Sequence, residues 1–215
     1  MKSIITAPLI HEERLYSEGY CQIGGMDEVG RGALAGPIVA CVVILPPDVV
    51  IPRVRDSKKL SPNVRKRLAD EIKSVALDYG FGWVEPEFVD KYNVLQATFI
   101  AMQQALKSLP SPPDAILVDG KPRTLELPDN MHCEFIAQGD SASHTIAAAS
   151  ILAKVERDAY MERQNIKYLG YGFAKHKGYG TSEHYAAIRK QGICLLHRKT
   201  FLKNAFIDND HRGGA

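Results

Sequence analysis

One stretch constrains this chain more than any other: residues 24–47, GGMDEVGRGALAGPIVACVVILPP. A short apolar segment, Tyr20–Met26, runs into the acid pair Asp27 and Glu28. A glycine-rich turn, Gly30 to Gly36, follows. Ile38–Leu45 is then rich in β-branched residues and fenced by Pro37 and Pro46, the pattern of a buried strand. The order predicts two strands joined by a tight turn. It also excludes a dinucleotide site. Gly30, Gly32 and Ala35 match G-x-G-x-x-G/A in letters, but that fingerprint must open a helix, and here a strand comes next.

The rest of the chain alternates. Ser61–Tyr79 predicts a helix, with Ser61 as cap, Pro62 in the first turn and Gly80 at the end. Its apolar stripe is Val64, Leu68, Ile72, Val75 and Tyr79. Phe81–Val84 predicts a strand, and Leu95, Phe99, Met102 and Leu106 mark a second helix before the prolines at 110–113. Ala115–Val118 and Cys133–Ala137 read as strands, and an Ala-rich helix is expected from about Ser143 to about Gln164. A Gly/Lys/Tyr loop at 169–181 leads to a short helix, Thr181–Gln191, stopped by Gly192. Strands alternating with helices define an α/β core.

A chain of 215 residues fits one domain. With 45% hydrophobic and 24% charged residues, disorder and a collagen-like fold are excluded. No apolar run reaches the roughly 18 residues of a membrane span, so no membrane contact is expected. The N-terminal stretch lacks a signal-peptide pattern, because Glu12 and Glu13 follow its short apolar patch, and a cytoplasmic location is expected. Cys21, Cys41, Cys133 and Cys194 form no CxxC pair and read as free, mostly buried thiols.

Charge is unevenly placed. Residues 1–150 carry 15 Lys/Arg against 19 Asp/Glu, and residues 151–205 carry 11 against 4. A basic C-terminal quarter beside an acidic body points to a polyanion partner.

The chemistry is carried by carboxylates. Asp27 and Glu28 close the first strand, Asp119 closes another and precedes Gly120, and Asp140 stands at a loop-to-helix junction. In α/β sheets functional groups gather at strand ends. Singly, each acid is also an ordinary turn or cap residue. Together they would repel unless a cation sat among them, and oxygen ligands without Cys or His select Mg²⁺ or Mn²⁺. Asp27 and Glu28 pose a problem, since neighbours on a strand point to opposite faces; the flanking glycines would allow a kink there. Arg31 between Gly30 and Gly32 suits phosphate. Lys58 and Lys59 precede a helix start and suit it too, with plain solvation as the alternative. Tyr171, Phe173 and Tyr179 lie among cations; core packing is the stronger reading for the first two, and a stacking face the other.

With these residues assembled, the chain resembles bacterial ribonuclease HII. The stretches that carry the resemblance are GGMDEVGRGALAGP, DSKKLS, LVDG, GDSASHTIAAASILAKVERD and GYGFAKHKGYGTSEH. The resemblance implies a ribonuclease H-like fold: a mixed five-stranded sheet flanked by helices, with a small C-terminal helical extension. It implies an extension at 1–19, a catalytic core at 20–165, and a segment at 166–215 that contributes to substrate binding. It implies hydrolysis of the RNA strand of RNA–DNA hybrids and incision 5′ of single ribonucleotides in duplex DNA. The metal site would be Asp27, Glu28, Asp119 and Asp140, holding two Mg²⁺ or Mn²⁺ ions, with Asp158 the second choice for the fourth acid. Gly30, Arg31 and Gly32 would sense the ribose 2′-hydroxyl. Tyr179 would pack on the adjacent deoxyribose, and Lys58 and Lys59 would contact the backbone. A monomer is expected, and the final residues, IDNDHRGGA, show no clear sliding-clamp motif. The competing reading is a non-catalytic nucleic-acid-binding module using only the basic C-terminal part.

Overall fold

A computed structural model describes residues 5–121 and 125–202. The predicted strand pair forms: β1 (Ile23–Val29) and β2 (Ile38–Ile44) run antiparallel across the glycine-rich turn. Strand β3 (Asp78–Val84) pairs antiparallel with β2. On the other side β4 (Ala115–Asp119) lies parallel to β1, and β5 (His132–Ile136) parallel to β4. The sheet has five strands in the order β3-β2-β1-β4-β5 and is mixed, as the resemblance implied. Every β2 residue is buried because helices cover both of its faces. On one face Cys41 and Val43 meet Leu68 and Ile72 of α2 (Pro62–Val75) and Ile151 and Leu152 of α5 (His144–Lys167). On the other, Ala40 and Val42 meet Ala101, Met102 and Ala105 of α3 (Pro86–Lys107).

Two helices differ from the sequence reading. Helix α2 ends at Val75, and Tyr79 and Gly80 belong to β3, paired with Val43 and Val42. A strand partner outweighs local helix periodicity there. Ser61 makes no side-chain cap bond, although Pro62 does take the first helical position. In α3 the buried stripe is Ala97, Ala101, Met102, Ala105 and Leu106, while Leu95 remains 39% exposed. Small residues face β3 because the backbones nearly touch: a Cβ on Gly82 would overlap the Ala101 carbonyl oxygen. The helix is interrupted at Asn93 (φ 68°), whose side-chain oxygen accepts from Leu95 N and Gln96 N and starts it afresh.

The first described helix, α1 (Ile10–Ser17), is anchored through the buried Glu12. Its Oε1 accepts from the Ser143 hydroxyl, the Thr145 hydroxyl and Thr145 N. An acid is thereby placed at the N-terminus of α5, where the helix dipole favours it. After α5 come α6 (Phe173–His176), α7 (Ser182–Gln191) and α8 (Lys199–Leu202). They form a satellite core of Tyr171, Phe173, Ile188, Leu196 and Leu202 against Leu34, Ala35 and Met161. Tyr171 and Phe173 stack at 5.3 Å inside it, which fits core packing. Of the cysteines only Cys41 is buried; Cys21 is exposed and the other two are intermediate, so the thiols are less buried than expected. Among the described residues no helix is long and apolar enough to cross a membrane. The segment IDNDHRGGA lies outside the described residues.

Candidate active site

Parallel β1, β4 and β5 all point their C-terminal ends to one edge of the sheet, and the acids gather there. Asp27 and Glu28 are the fifth and sixth residues of β1, which stays regular through Val29 opposite Val39. No kink intervenes, so the two side chains leave on opposite faces. Asp27 turns toward α5. That helix sits directly on β1, because Gly25 has no Cβ to collide with the Thr145–Ile146 backbone. One turn further on, the Ser150 hydroxyl faces the Asp27 carboxyl and favours its charged form. Ser150 also shares a hydrogen bond with Ser57 (3.0 Å), in the 3₁₀ turn Ser57–Lys59. Glu28 turns the other way. It pairs with Arg31 at 2.8 Å and lines a narrow cleft with Asp119, Gly120 and Phe99 of α3.

Asp119 ends β4, and its Oδ1 accepts from Gly139 N at 2.6 Å. That bond ties it to the short helix α4 (Gly139–Ala142), which carries Asp140. Asp140 is not the cap of α5; Ser143 fills that place, accepting from Ile146 N. Asp140 instead faces Asp56, whose charge acts on it, and lies 3.9 Å from Lys58 Nζ. Asp158 has a different setting. It is paired with Lys154 at 2.7 Å and Arg65 at 3.8 Å, so its charge is already met by two cations.

Burial raises the Asp27 carboxyl well above the usual carboxylate range, and the charges of Glu28 and Asp119 raise it further. Burial also raises Asp140, with Asp56 and Asp119 adding to it. For Lys58, partial burial opposes the charge, yet Asp140, Asp27, Asp56 and Asp119 outweigh it and raise the ammonium pKa. Asp119 thus acts on both Asp27 and Asp140, and the charge among these acids is negative. Among the described residues no three His, Cys, Asp or Glu side chains are drawn tightly enough together to enclose an ion. The donor set itself, all carboxylate and only partly met by Arg31 and Lys58, suits a hard cation.

The glycine-rich turn is held from beneath. A Cβ on Gly30 (φ 93°) would overlap Arg157 Nε, whereas Gly32 has nothing within 4 Å. Arg157, fully buried, donates to the carbonyls of Pro37 (2.9 Å), Ala35 (3.0 Å) and Lys177 (2.9 Å). Arg198, equally buried, donates to those of Gly36 (2.7 Å) and Arg31 (3.0 Å). Leu34 N and Ala35 N donate to Gly178 O, so the turn and the loop carrying Tyr179 are bonded side by side. The half-buried Tyr179 ring lies 5.3 Å from Lys154 Nζ and 5.3 Å from the Arg157 guanidinium. Lys58 and Lys59 are the most open of the candidates, with side chains 85% and 61% exposed. A groove of about 790 Å³ between the start of α3 and residues 193–199 touches none of the acids.

Sequence reasoning missed Ser150, Ser57, Asp56, Arg157 and Arg198. The only signal for the first four was that they stand inside the quoted motifs, and Arg198 lies outside all of them.

The sheet order and the flanking helices are those of the ribonuclease H-like fold. The ribonuclease HII family profile matches residues 24–208. Ribonuclease HII of Syntrophotalea carbinolica is 50% identical over 196 residues, 91% of this chain and 92% of that protein. The crystal structure of ribonuclease H2 from Pyrococcus horikoshii superposes with a TM-score of 0.69 at 27% identity, covering 83% of this chain and 93% of that one. Ribonuclease HII of Archaeoglobus fulgidus, solved in complex with PCNA, gives 0.67 at 25% identity, over 83% and 94%. The chain belongs to the ribonuclease HII family. It is a hydrolase, an endonuclease acting on the RNA strand of RNA–DNA hybrids.

Proposed function

We propose that this enzyme also incises duplex DNA on the 5′ side of a single embedded ribonucleotide, leaving a 3′-hydroxyl and a 5′-phosphate. The observation that carries this reading is the bonding of the glycine-rich turn, at Leu34 and Ala35, to the Tyr179 loop, with Arg157 beneath both. A 2′-hydroxyl reader and a sugar-packing ring held in one frame can recognise the junction between one ribose and the next deoxyribose. A reader that hydrogen-bonds the 2′-hydroxyl discriminates strongly, because DNA would leave its polar groups unpaired.

Asp27, Glu28, Asp119 and Asp140 would hold the Mg²⁺ or Mn²⁺ ions. When bound, a pair of such ions lowers the pKa of an attacking water and stabilises the leaving 3′ oxygen. The chain's own residues do the rest. Ser150 orients the Asp27 carboxyl, and Gly139 N fixes Asp119. Arg31, Lys58 and Lys59 meet the phosphates, and residues 166–215 contribute to substrate binding beside the catalytic core at 20–165. No histidine faces the acid cluster among the contacts described, in keeping with a 2′-hydroxyl that is read and does not attack.

The test is one gel: a duplex with a lone ribonucleotide, incubated with Mg²⁺, Mn²⁺ or EDTA. Incision 5′ of the ribonucleotide in either metal and none in EDTA is expected. Tight binding in EDTA without metal-dependent cleavage would favour a pure nucleic-acid-binding module.

A further inference from the structure

Three histidines lie under the loop that carries Tyr179, and the reaction uses none of them. His176, His184 and His197 are 7%, 0% and 3% exposed. The rings of His176 and His184 stack with centroids 4.3 Å apart, and Phe173 packs edge-on against both.

Their hydrogen bonds can be read in one direction only. His184 Nδ1 lies 3.0 Å from the Tyr179 carbonyl oxygen. A carbonyl only accepts, so this nitrogen carries the proton. At the other end, His197 Nδ1 lies 2.9 Å from the Cys194 backbone N, which only donates. That nitrogen is therefore bare, the Cys194 thiol reaches it as well at 3.2 Å, and the His197 proton sits on Nε2. Between them, His184 Nε2 and His197 Nε2 are 3.1 Å apart. One must donate and the other accept, and the outer contacts settle which. The chain runs Cys194 N–H to His197, His197 Nε2–H to His184, and His184 Nδ1–H to Tyr179 O. An extra proton on His184 would put two N–H groups face to face. Burial lowers both imidazoles to about 4, and the stacked His176 pushes the same way.

We propose that His184 and His197 are positioning residues for substrate recognition: a one-way hydrogen-bond relay of two neutral imidazoles that fixes the Tyr179 backbone and, through it, the attitude of its ring. This rests on Tyr179 reading the sugar beside the scissile bond. The loop needs such a tie, since Lys177 (φ 54°) and Gly178 (φ 84°) are both left-handed and precede Tyr179 directly. His176 braces the same turn, with Nδ1 accepting from Gly178 N and Nε2 donating to Tyr171 O. Simple core filling would need only ring volume, and a relay needs the donor on Nδ1. The two differ in what they predict.

The full-length chain is tested in two ways. Proton–nitrogen NMR of the imidazoles at neutral pH reads the tautomers. His184 protonated on Nδ1 and His197 on Nε2 is expected; the opposite pair, or a charged ring, overturns the relay whether or not any variant folds. The second readout is the ratio of kcat/KM on a lone-ribonucleotide duplex to that on a long RNA–DNA hybrid. His184→Asn keeps a donor where Nδ1 stood, and His184→Gln does not. The Gln variant should lower the ratio about 10-fold, the usual effect of one lost buried hydrogen bond, and the Asn variant should hold it near the wild-type value. In a Tyr179→Ala background the Gln change should no longer alter the ratio. Equal ratios in wild type, Asn and Gln variants, or a parallel loss on both substrates, would overturn the recognition role. A wild-type enzyme that cleaves the hybrid but never the lone ribonucleotide would instead refute the incision reading on which that role rests.

Discussion

The hydroxyl of Ser150, on α5, faces the carboxyl of Asp27, on β1, across a contact that exists because Gly25 lets helix and strand touch. It favours the ionised form of an acid that burial and two neighbouring charges push toward protonation. Ser150→Ala should therefore lower kcat by about 10-fold or more, the effect of losing a hydrogen bond to a charged group. KM for a long hybrid should change little. Steady-state rates with unchanged kcat would show that Ser150 only fills space.

Asp27→Asn separates catalysis from stability. Turnover should vanish, since Asp27 is the acid on which both Glu28 and Asp119 act, and it would hold the ions with them. Stability in EDTA should rise, because a carboxyl whose folded pKa is raised opposes folding once pH exceeds its ordinary value. Each kcal/mol of relief moves the melting temperature of a chain this size by about 2–4 °C. Calorimetry in EDTA at pH 7 checks the sign, and near-normal activity in this variant would remove Asp27 from the reaction.

Mg²⁺ or Mn²⁺ should raise the melting temperature of the wild type with rising concentration, as any ligand of the folded state does. The Asp27→Asn chain should gain less. An equal gain in both would place the ions elsewhere.

Acid should unfold the protein through its histidines. Burial lowers His184 and His197 to about 4 from an ordinary 6.5, and it lowers His176 as well. The unfolded chain takes up these protons first, so stability is complete above about pH 6.5 and falls as pH drops toward about 4. Urea midpoints between pH 7 and 4 should decline along that window, and His184→Asn should flatten the decline. A flat profile in the wild type would mean that these rings gain protons without cost to the fold.

Tyr179→Ala should lose lone-ribonucleotide incision more than hybrid cleavage. Equal losses on the two substrates would take the ring out of junction reading.

Much of the architecture was legible because its signals are local. The acids that end β1 and β4 follow apolar runs, and the fencing prolines frame β2. Strand alternation holds at Asp27 and Glu28, and the kink that the flanking glycines would allow does not form. Other features depend on partners remote in the chain. Nothing near Ser150 says that it will meet Asp27, or that Asp56 will meet Asp140. Tyr79 looked helical until β2 supplied a strand partner. Nor does the sequence around Arg157 say that it holds the turn and the Tyr179 loop together.

Arg157 and Arg198 are sealed inside the protein, and among the described residues neither forms an ion pair. Their hydrogen bonds go to backbone carbonyls, and the Tyr179 and Phe201 rings lie over them. Mobile counterions cannot reach them, and no flexible carboxylate can swing in to cancel them. Beneath the Tyr179 face the molecule therefore carries a permanent positive field that added salt weakens less than it weakens the exposed lysines. An incoming phosphate chain would be drawn toward that face before any direct contact forms.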